Sequence, residues 1–211
     1  MENNLSSSDD LKTIRKIMEE SSRFLSLSGL SGIFAGLFAI AGAFVAWFFI
    51  LHKGTIQYDD VLSSLYGNSS SLPGWQLIAD ALVVLVLSLL FSLWFSARRA
   101  RKAGRILWTP VTKRLLVNFS VPLITGGLFV IILLIENHSE LVIPGLLVFY
   151  GLALLNAGKF TYGEVFYLGL LEIITGLISA VLFKYGIWFW VFGFGALHIV
   201  YGLIMYRRYE R

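Results

Sequence analysis

The 211-residue sequence contains no cysteine, only four prolines and few charged residues, which make up 14% of the chain. Without cysteine, the chain forms no disulfides or thiolate metal sites and uses no cysteine nucleophile. The charged fraction is well below the roughly 25% that is usual in soluble domains. The apolar fraction is 57% and the mean hydropathy is +0.76. This composition predicts a membrane protein.

Six apolar segments are long enough to cross a bilayer as helices, since about 20 residues at ~1.5 Å rise span a ~30 Å hydrocarbon core. They occupy residues 26–51, 75–97, 117–135, 141–157, 164–183 and 187–206. The predicted fold is an all-α, polytopic membrane protein with six transmembrane helices in a single domain over residues 1–211. Before the first span, SDDLKTIRKIMEESSRFL has apolar residues at helical spacing, which predicts a tail ending in an amphipathic helix within residues 1–25.

Basic residues lie almost entirely on one side of the predicted membrane. Of the 17 lysines and arginines, all but Lys53 and Lys184 fall on the side of the two termini. By the positive-inside rule that side is cytoplasmic, so we expect a multi-pass protein of a bacterial cytoplasmic membrane with both termini inside. The loop RRARKAGRILWTPVTKR, residues 98–114, is a candidate for binding anionic lipid headgroups. Its alternative role is only to fix the topology.

A glycine pattern recurs in three spans, where a glycine is followed seven positions later by Gly-Leu. The copies are GLSGIFAGLF from Gly29, GLLEIITGLI from Gly169 and GALHIVYGLI from Gly195. Small residues seven apart lie on one helix face and let two backbones approach closely. The predicted helix-packing residues are Gly29, Gly32, Gly36, Gly169, Gly176, Gly195 and Gly202. In the first span, Gly29, Gly32 and Gly36 form a stripe of small residues. This stripe packs either against another helix of the same chain or against a second copy in a homodimer.

Two ionisable residues, Glu172 and His198, occupy the same place in this pattern. From the predicted span ends, they lie ~13 Å and ~12 Å deep at 1.5 Å per residue, and are therefore level. An ionised group at the bilayer centre costs about 2.5–3.5 kcal/mol on insertion scales. Because few residues join the last two spans, we expect an antiparallel hairpin in which Glu172 meets His198.

This intramembrane polar pair supports two hypotheses. In the first, the pair binds or passes a proton or cation, and the protein transports or senses a small solute or a proton through the bundle. In the second, the pair only joins two helices. The protein is then a non-catalytic scaffold or accessory protein that binds a partner through its N-terminal helix and basic loop.

Motifs for catalysis and cofactor binding are missing from the sequence, which has no nucleophile elbow, no HExxH and no nucleotide-binding loop. His52 and His138 lie in predicted outer loops without metal-ligand spacing. We therefore predict that the protein is not an enzyme and has no cofactor, no metal site and no nucleic-acid partner. Separately, Thr161 and Glu164 in TYGE predict a capping box at the start of the fifth span.

The last part of the chain, from LLNAGKFTYGEVF to LIMYRRYER, resembles the C-terminal part of a group of uncharacterised bacterial six-span integral membrane proteins. The segments GLLEIITGLI and GALHIVYGLI are similar, more distantly, to those of HdeD-type membrane proteins, small six-span proteins linked to acid resistance. These resemblances imply a six-span fold. No functional residue is carried over from either group.

Overall fold

The computed structural model describes residues 24–50, 73–104, 106–136 and 138–211. The predicted N-terminal amphipathic helix and most of the outer loop before the second span lie outside these ranges. All regular structure in the described ranges is helical, and six helices there are long and apolar enough to cross a membrane. The prediction of an all-α, polytopic membrane protein with six spans is confirmed.

The first five spans are each built on one main α-helix. They are α1 (Gly29–Val45, continued by a π-helical turn, Ala46–Ile50), α2 (Pro73–Lys102), α3 (Pro110–Ile135), α4 (Val142–Gly158) and α5 (Gly163–Val181). The sixth span has three parts, which are α6 (Gly186–Trp190), a π-helical segment (Val191–Leu197) and α7 (His198–Tyr209). We call the end of the bundle that holds the C-terminus and the 98–114 loop the basic side.

Helices α2 and α3 continue past the predicted apolar runs on the basic side. α2 ends at Lys102 rather than at residue 97, and α3 begins at Pro110 rather than at residue 117. The early start of α3 has a local cause, because Thr109 and Thr112 cap it reciprocally. The Thr109 hydroxyl accepts a hydrogen bond from the Thr112 backbone N–H at 3.2 Å, and the Thr112 hydroxyl accepts one from the Thr109 N–H at 3.4 Å.

The capping box predicted at the start of the fifth span is wrong. The Thr161 hydroxyl donates to the Ala157 carbonyl at 3.2 Å instead of capping α5. The Glu164 carboxylate accepts from Arg208 at 2.8 Å and from the Tyr209 hydroxyl at 3.1 Å. Glu164 therefore points to these two residues of α7 rather than back to the N-cap backbone of α5.

Glycines determine which helices pack backbone against backbone. Between α1 and the sixth span, a Cβ atom on Gly202 would lie 2.6 Å from the Gly29 oxygen. Between α4 and α5, a Cβ atom on Gly169 would lie 2.7 Å from the Gly151 oxygen. Since real Cβ contacts are almost never shorter than 3.0 Å, only glycine allows these approaches. The bundle therefore contains two close helix pairs, α1 with the sixth span and α4 with α5.

All seven glycines that the sequence pattern singled out lie at these two contacts. Gly29, Gly32 and Gly36 of α1 face the sixth span, which contributes Gly195 and Gly202. Gly169 and Gly176 of α5 face α4. The stripe of the first span is thus used within the chain.

The predicted hairpin of the fifth and sixth spans requires a correction. α5 packs most closely on α4 and the sixth span packs most closely on α1, while α5 and the sixth span lie farther apart. The cause is that the glycine faces of both helices point to other neighbours. Large side chains, including Glu172 and His198, fill the space between α5 and the sixth span. α2 packs outside α1 and α3 packs outside α4.

Candidate functional site

Glu172 lies at the middle of its span. It lies nine positions after Gly163 and nine positions before Val181, the two ends of α5. It shares the buried face of α5 with Thr175 and Ser179, at the three- and four-residue intervals of one helix face. The residue is 0% exposed. Its carboxylate therefore points into the bundle rather than towards lipid.

The Glu172 carboxylate has neighbours but no hydrogen-bond partner in the described part of the chain. Its Oε1 atom lies 3.4 Å from His198 Nδ1. Its Oε2 atom lies against the backbone of Gly193, where a Cβ atom would be 2.7 Å away. A buried carboxylate without hydrogen bonds is strongly unfavourable as an isolated ion. It is stabilised when it takes up a proton or when a charged imidazole balances it.

His198 is held at both ring nitrogens. Its Nδ1 lies 3.1 Å from the Gly193 carbonyl oxygen, and its Nε2 lies 2.8 Å from the Tyr150 hydroxyl. Because a carbonyl only accepts hydrogen bonds, Nδ1 carries a hydrogen. The Tyr150 hydroxyl donates to Nε2 when the ring is neutral and accepts from it when the ring is charged. The site therefore accommodates both protonation states of His198.

The π-helical segment Val191–Leu197 brings the Gly193 carbonyl to this position. A π-helix bonds residues five apart, so it places the carbonyl of Gly193 one turn before His198. Gly193 has no side chain, and this leaves room for the carboxylate of Glu172 and for Leu147. One glycine thus orients the imidazole with its carbonyl and contacts the carboxylate with its Cα.

Two electrostatic terms of opposite sign act on the pair. A charged imidazole and a carboxylate 3.4 Å apart attract by about 5 kcal/mol at an effective dielectric constant of 20. Moving each ion out of water costs several kcal/mol. The attraction therefore offsets part of the cost of burying the two ions.

Three buried hydroxyls also lack hydrogen-bond partners among the described residues, those of Ser139, Ser179 and Tyr201, and the last two lie on the same helices as the pair. Ser179 lies seven residues from Glu172 along α5, towards the side opposite the basic side. Tyr201 lies three residues from His198 along α7, towards the basic side. Unpaired polar atoms thus flank the Glu172 and His198 pair on both sides.

A separate polar network closes the bundle on the basic side. The Glu210 carboxylate accepts from the Gly29 backbone N–H at the start of α1 and from the Ser28 hydroxyl at 3.2 Å. Arg99 pairs with Glu210 at 3.4 Å and donates to the Tyr162 hydroxyl at 3.3 Å. Arg99, which belongs to the loop with the predicted headgroup site, therefore points inward. Several of its basic neighbours are exposed, namely Arg98, Arg101, Lys102, Lys113 and Arg114.

Sequence reasoning missed Tyr150 and Gly193. Tyr150 is one aromatic residue among many in an apolar span, and its contact with His198 arises only from the tertiary arrangement of α4 and the sixth span. The VFGFG sequence before His198 offered a hint for Gly193, since paired glycines interrupt a regular helix.

Comparisons of the chain with protein-family models, with curated proteins and with solved structures found no match. The function is therefore inferred from the chemistry of the site.

Proposed function

We propose that the protein transports or senses a proton or a small solute through its helical bundle, with Glu172 as the protonatable group and His198 as its partner. The observation that carries this proposal is a 0% exposed carboxylate at mid-span, without a hydrogen bond and 3.4 Å from an imidazole. A pair kept only for stability would be fully hydrogen-bonded, because the gain from hydrogen bonds is what offsets the burial of polar groups.

The second candidate is a scaffold or accessory protein in which Glu172 and His198 only join helices. The observation that favours it is the closed bundle, in which both residues are buried and the Arg99–Glu210 network joins the helix ends. In that case the N-terminal segment and the basic loop bind a partner.

We further propose a bacterial cytoplasmic membrane as the location, with both termini inside. The exposed arginines and lysines at the end of α2 and the start of α3 support this orientation, because basic residues concentrate on the cytoplasmic side. We propose that the same side chains bind anionic lipid headgroups.

The test is proton flux in reconstituted vesicles that hold a pH-sensitive dye. The Glu172→Gln variant keeps the size of the side chain and removes the protonatable group. We expect its flux to fall about 100-fold, within the range usual for loss of an acid or base group. Glu140→Gln, the same change at a side chain outside the α-helical spans that pairs with His138, is the matched control and should keep the full rate.

A folded Glu172→Gln protein with the full rate would contradict the transport proposal. If this variant is silent while deletion of residues 1–25 abolishes copurification of a cytoplasmic partner, the scaffold is the better function.

A further inference from the structure

The two ring nitrogens of His198 face different kinds of group. Nδ1 faces two oxygens, the Gly193 carbonyl at 3.1 Å and Glu172 Oε1 at 3.4 Å. Nε2 faces the Tyr150 hydroxyl at 2.8 Å. Since the Gly193 carbonyl keeps the hydrogen on Nδ1, the lone pair of the neutral ring lies on Nε2. A proton therefore reaches the neutral ring at Nε2, next to Tyr150.

We propose that the ion handled at this site is the proton and that Tyr150 relays it to His198, which passes it on to Glu172. This inference rests on the function proposed above. It adds the identity of the ion, the third residue of the relay and the order of transfer.

The relay conserves atoms and charge at each step. In the first step the Tyr150 O–H bond breaks as the Nε2–H bond forms, while the same hydroxyl oxygen takes a proton from a hydronium ion. The ring is then an imidazolium. In the second step its Nδ1–H bond breaks as a bond from hydrogen to Glu172 Oε1 forms. The products are a neutral carboxyl and a neutral ring with its hydrogen on Nε2, and the reverse steps release the proton.

The surroundings of Glu172 favour a proton over a metal cation. Cations such as Mg²⁺ or Ca²⁺ take about six or more oxygen ligands. Here Oε1 faces an N–H group and Oε2 faces the Cα of Gly193. No group of three or more His, Asp or Glu side chains that could hold a metal occurs in the described residues. A proton needs a single oxygen, which Oε1 supplies.

The helices around His198 provide few other charged or titratable groups. α5 presents Glu172, α4 presents Tyr150 and α7 itself carries Tyr201, whose hydroxyl has no hydrogen-bond partner in the described part of the chain. On the α1 side the neighbour is Gly32. A Cβ atom added to it would lie 3.1 Å from the backbone carbonyl oxygen of His198. Tyr150 is half-buried, whereas Glu172 and His198 are buried. It also borders the buried cluster with Tyr201 that extends to the basic side, so the relay leads towards that side.

The test compares Tyr150→Phe with Tyr167→Phe in the vesicle assay and in measurements of proton uptake after a pH jump. Tyr150→Phe keeps the ring that packs on His198 and removes only the hydroxyl. We expect a rate about 100-fold lower, as for loss of a proton-transfer group, with unchanged final uptake because Glu172 remains. Tyr167→Phe, which removes the hydroxyl of an exposed tyrosine away from the site, is the control and should keep the rate.

The outcomes separate this inference from the proposed function. A normal rate in Tyr150→Phe with a lost rate in Glu172→Gln overturns the relay and leaves the proposed function standing. Normal rates in both variants overturn both. A flux that follows a sodium gradient at constant pH overturns the assignment of the proton.

A second measurement does not depend on the folding of Tyr150→Phe. In protein with His52 and His138 replaced by Gln, the nitrogen-15 NMR spectrum of the remaining histidine reports which ring nitrogen carries the hydrogen. Before proton uptake, when Glu172 is ionised, the relay requires the neutral ring to carry it on Nδ1, and after uptake it requires the hydrogen on Nε2. A neutral ring with its hydrogen on Nε2 at high pH, before uptake, would overturn the proposed order of transfer.

Discussion

Replacing Gly169 by alanine should separate α4 from α5 and destabilise the bundle. The added Cβ atom would lie 2.7 Å from the Gly151 oxygen and 2.7 Å from the Leu155 nitrogen. Ordinary contacts begin at 3.4 Å, so the atoms must move apart by about 0.7 Å. Both are backbone atoms of α4, and neither can turn away as a side chain does. The helices themselves must therefore shift.

The size of the effect follows from two opposing terms. Overpacking of a close contact costs about 1–3 kcal/mol. Alanine in place of glycine inside a helix returns about 0.5–1 kcal/mol through its better helix propensity. We therefore expect a net loss of about 0–2.5 kcal/mol in the free energy of unfolding, with a central value of about 1 kcal/mol. Gly127 of α3 is the matched control, because its Cβ would meet nothing within 4 Å.

The assay is equilibrium unfolding of both variants in detergent micelles, followed by circular dichroism. Gly127→Ala should be as stable as the parent protein or slightly more stable. If Gly169→Ala unfolds at the same denaturant concentration as Gly127→Ala, the close backbone contact between α4 and α5 is refuted.

Two further substitutions test the helix ends by the same unfolding measurement. Glu210→Ala removes the carboxylate that accepts from Gly29 and pairs with Arg99, and should cost about 1–2 kcal/mol, as for loss of a helix cap. Glu210→Gln, which retains an acceptor oxygen, should lose less, and equal losses would argue against the cap. Thr109→Ala removes one half of the reciprocal cap of α3 and should cost about 1 kcal/mol. An unchanged unfolding midpoint would show that Pro110 alone starts the helix.

The six spans could be predicted from the sequence because the thickness of a bilayer fixes the length of an apolar helix. The pairing of the helices could not. A glycine face shows that a close neighbour exists but does not identify it, and Gly169 packs on Gly151 of α4 rather than on the sixth span. Adjacency in sequence offered α5 two possible close partners, α4 and the sixth span, and the short connection to the sixth span suggested the wrong one.

The candidate site was only partly predictable for the same reason. Glu172 and His198 stand out because ionisable residues are rare in apolar spans. Nothing local marks Tyr150, whose role depends on a contact across 48 residues of sequence. Glu164 illustrates the opposite error. Its local sequence predicts a capping box, but in the structure its carboxylate pairs with the distant Arg208.

The most direct measurement of the central claim, that Glu172 is a buried acid that exchanges a proton beside His198, is infrared difference spectroscopy of the purified protein across a pH titration. The account predicts a carboxyl C=O band that appears and disappears with pH, is absent from Glu172→Gln and shifts in His198→Gln. A titrating band that persists unchanged in Glu172→Gln, or a Glu172 band that does not respond to His198→Gln, would contradict the account.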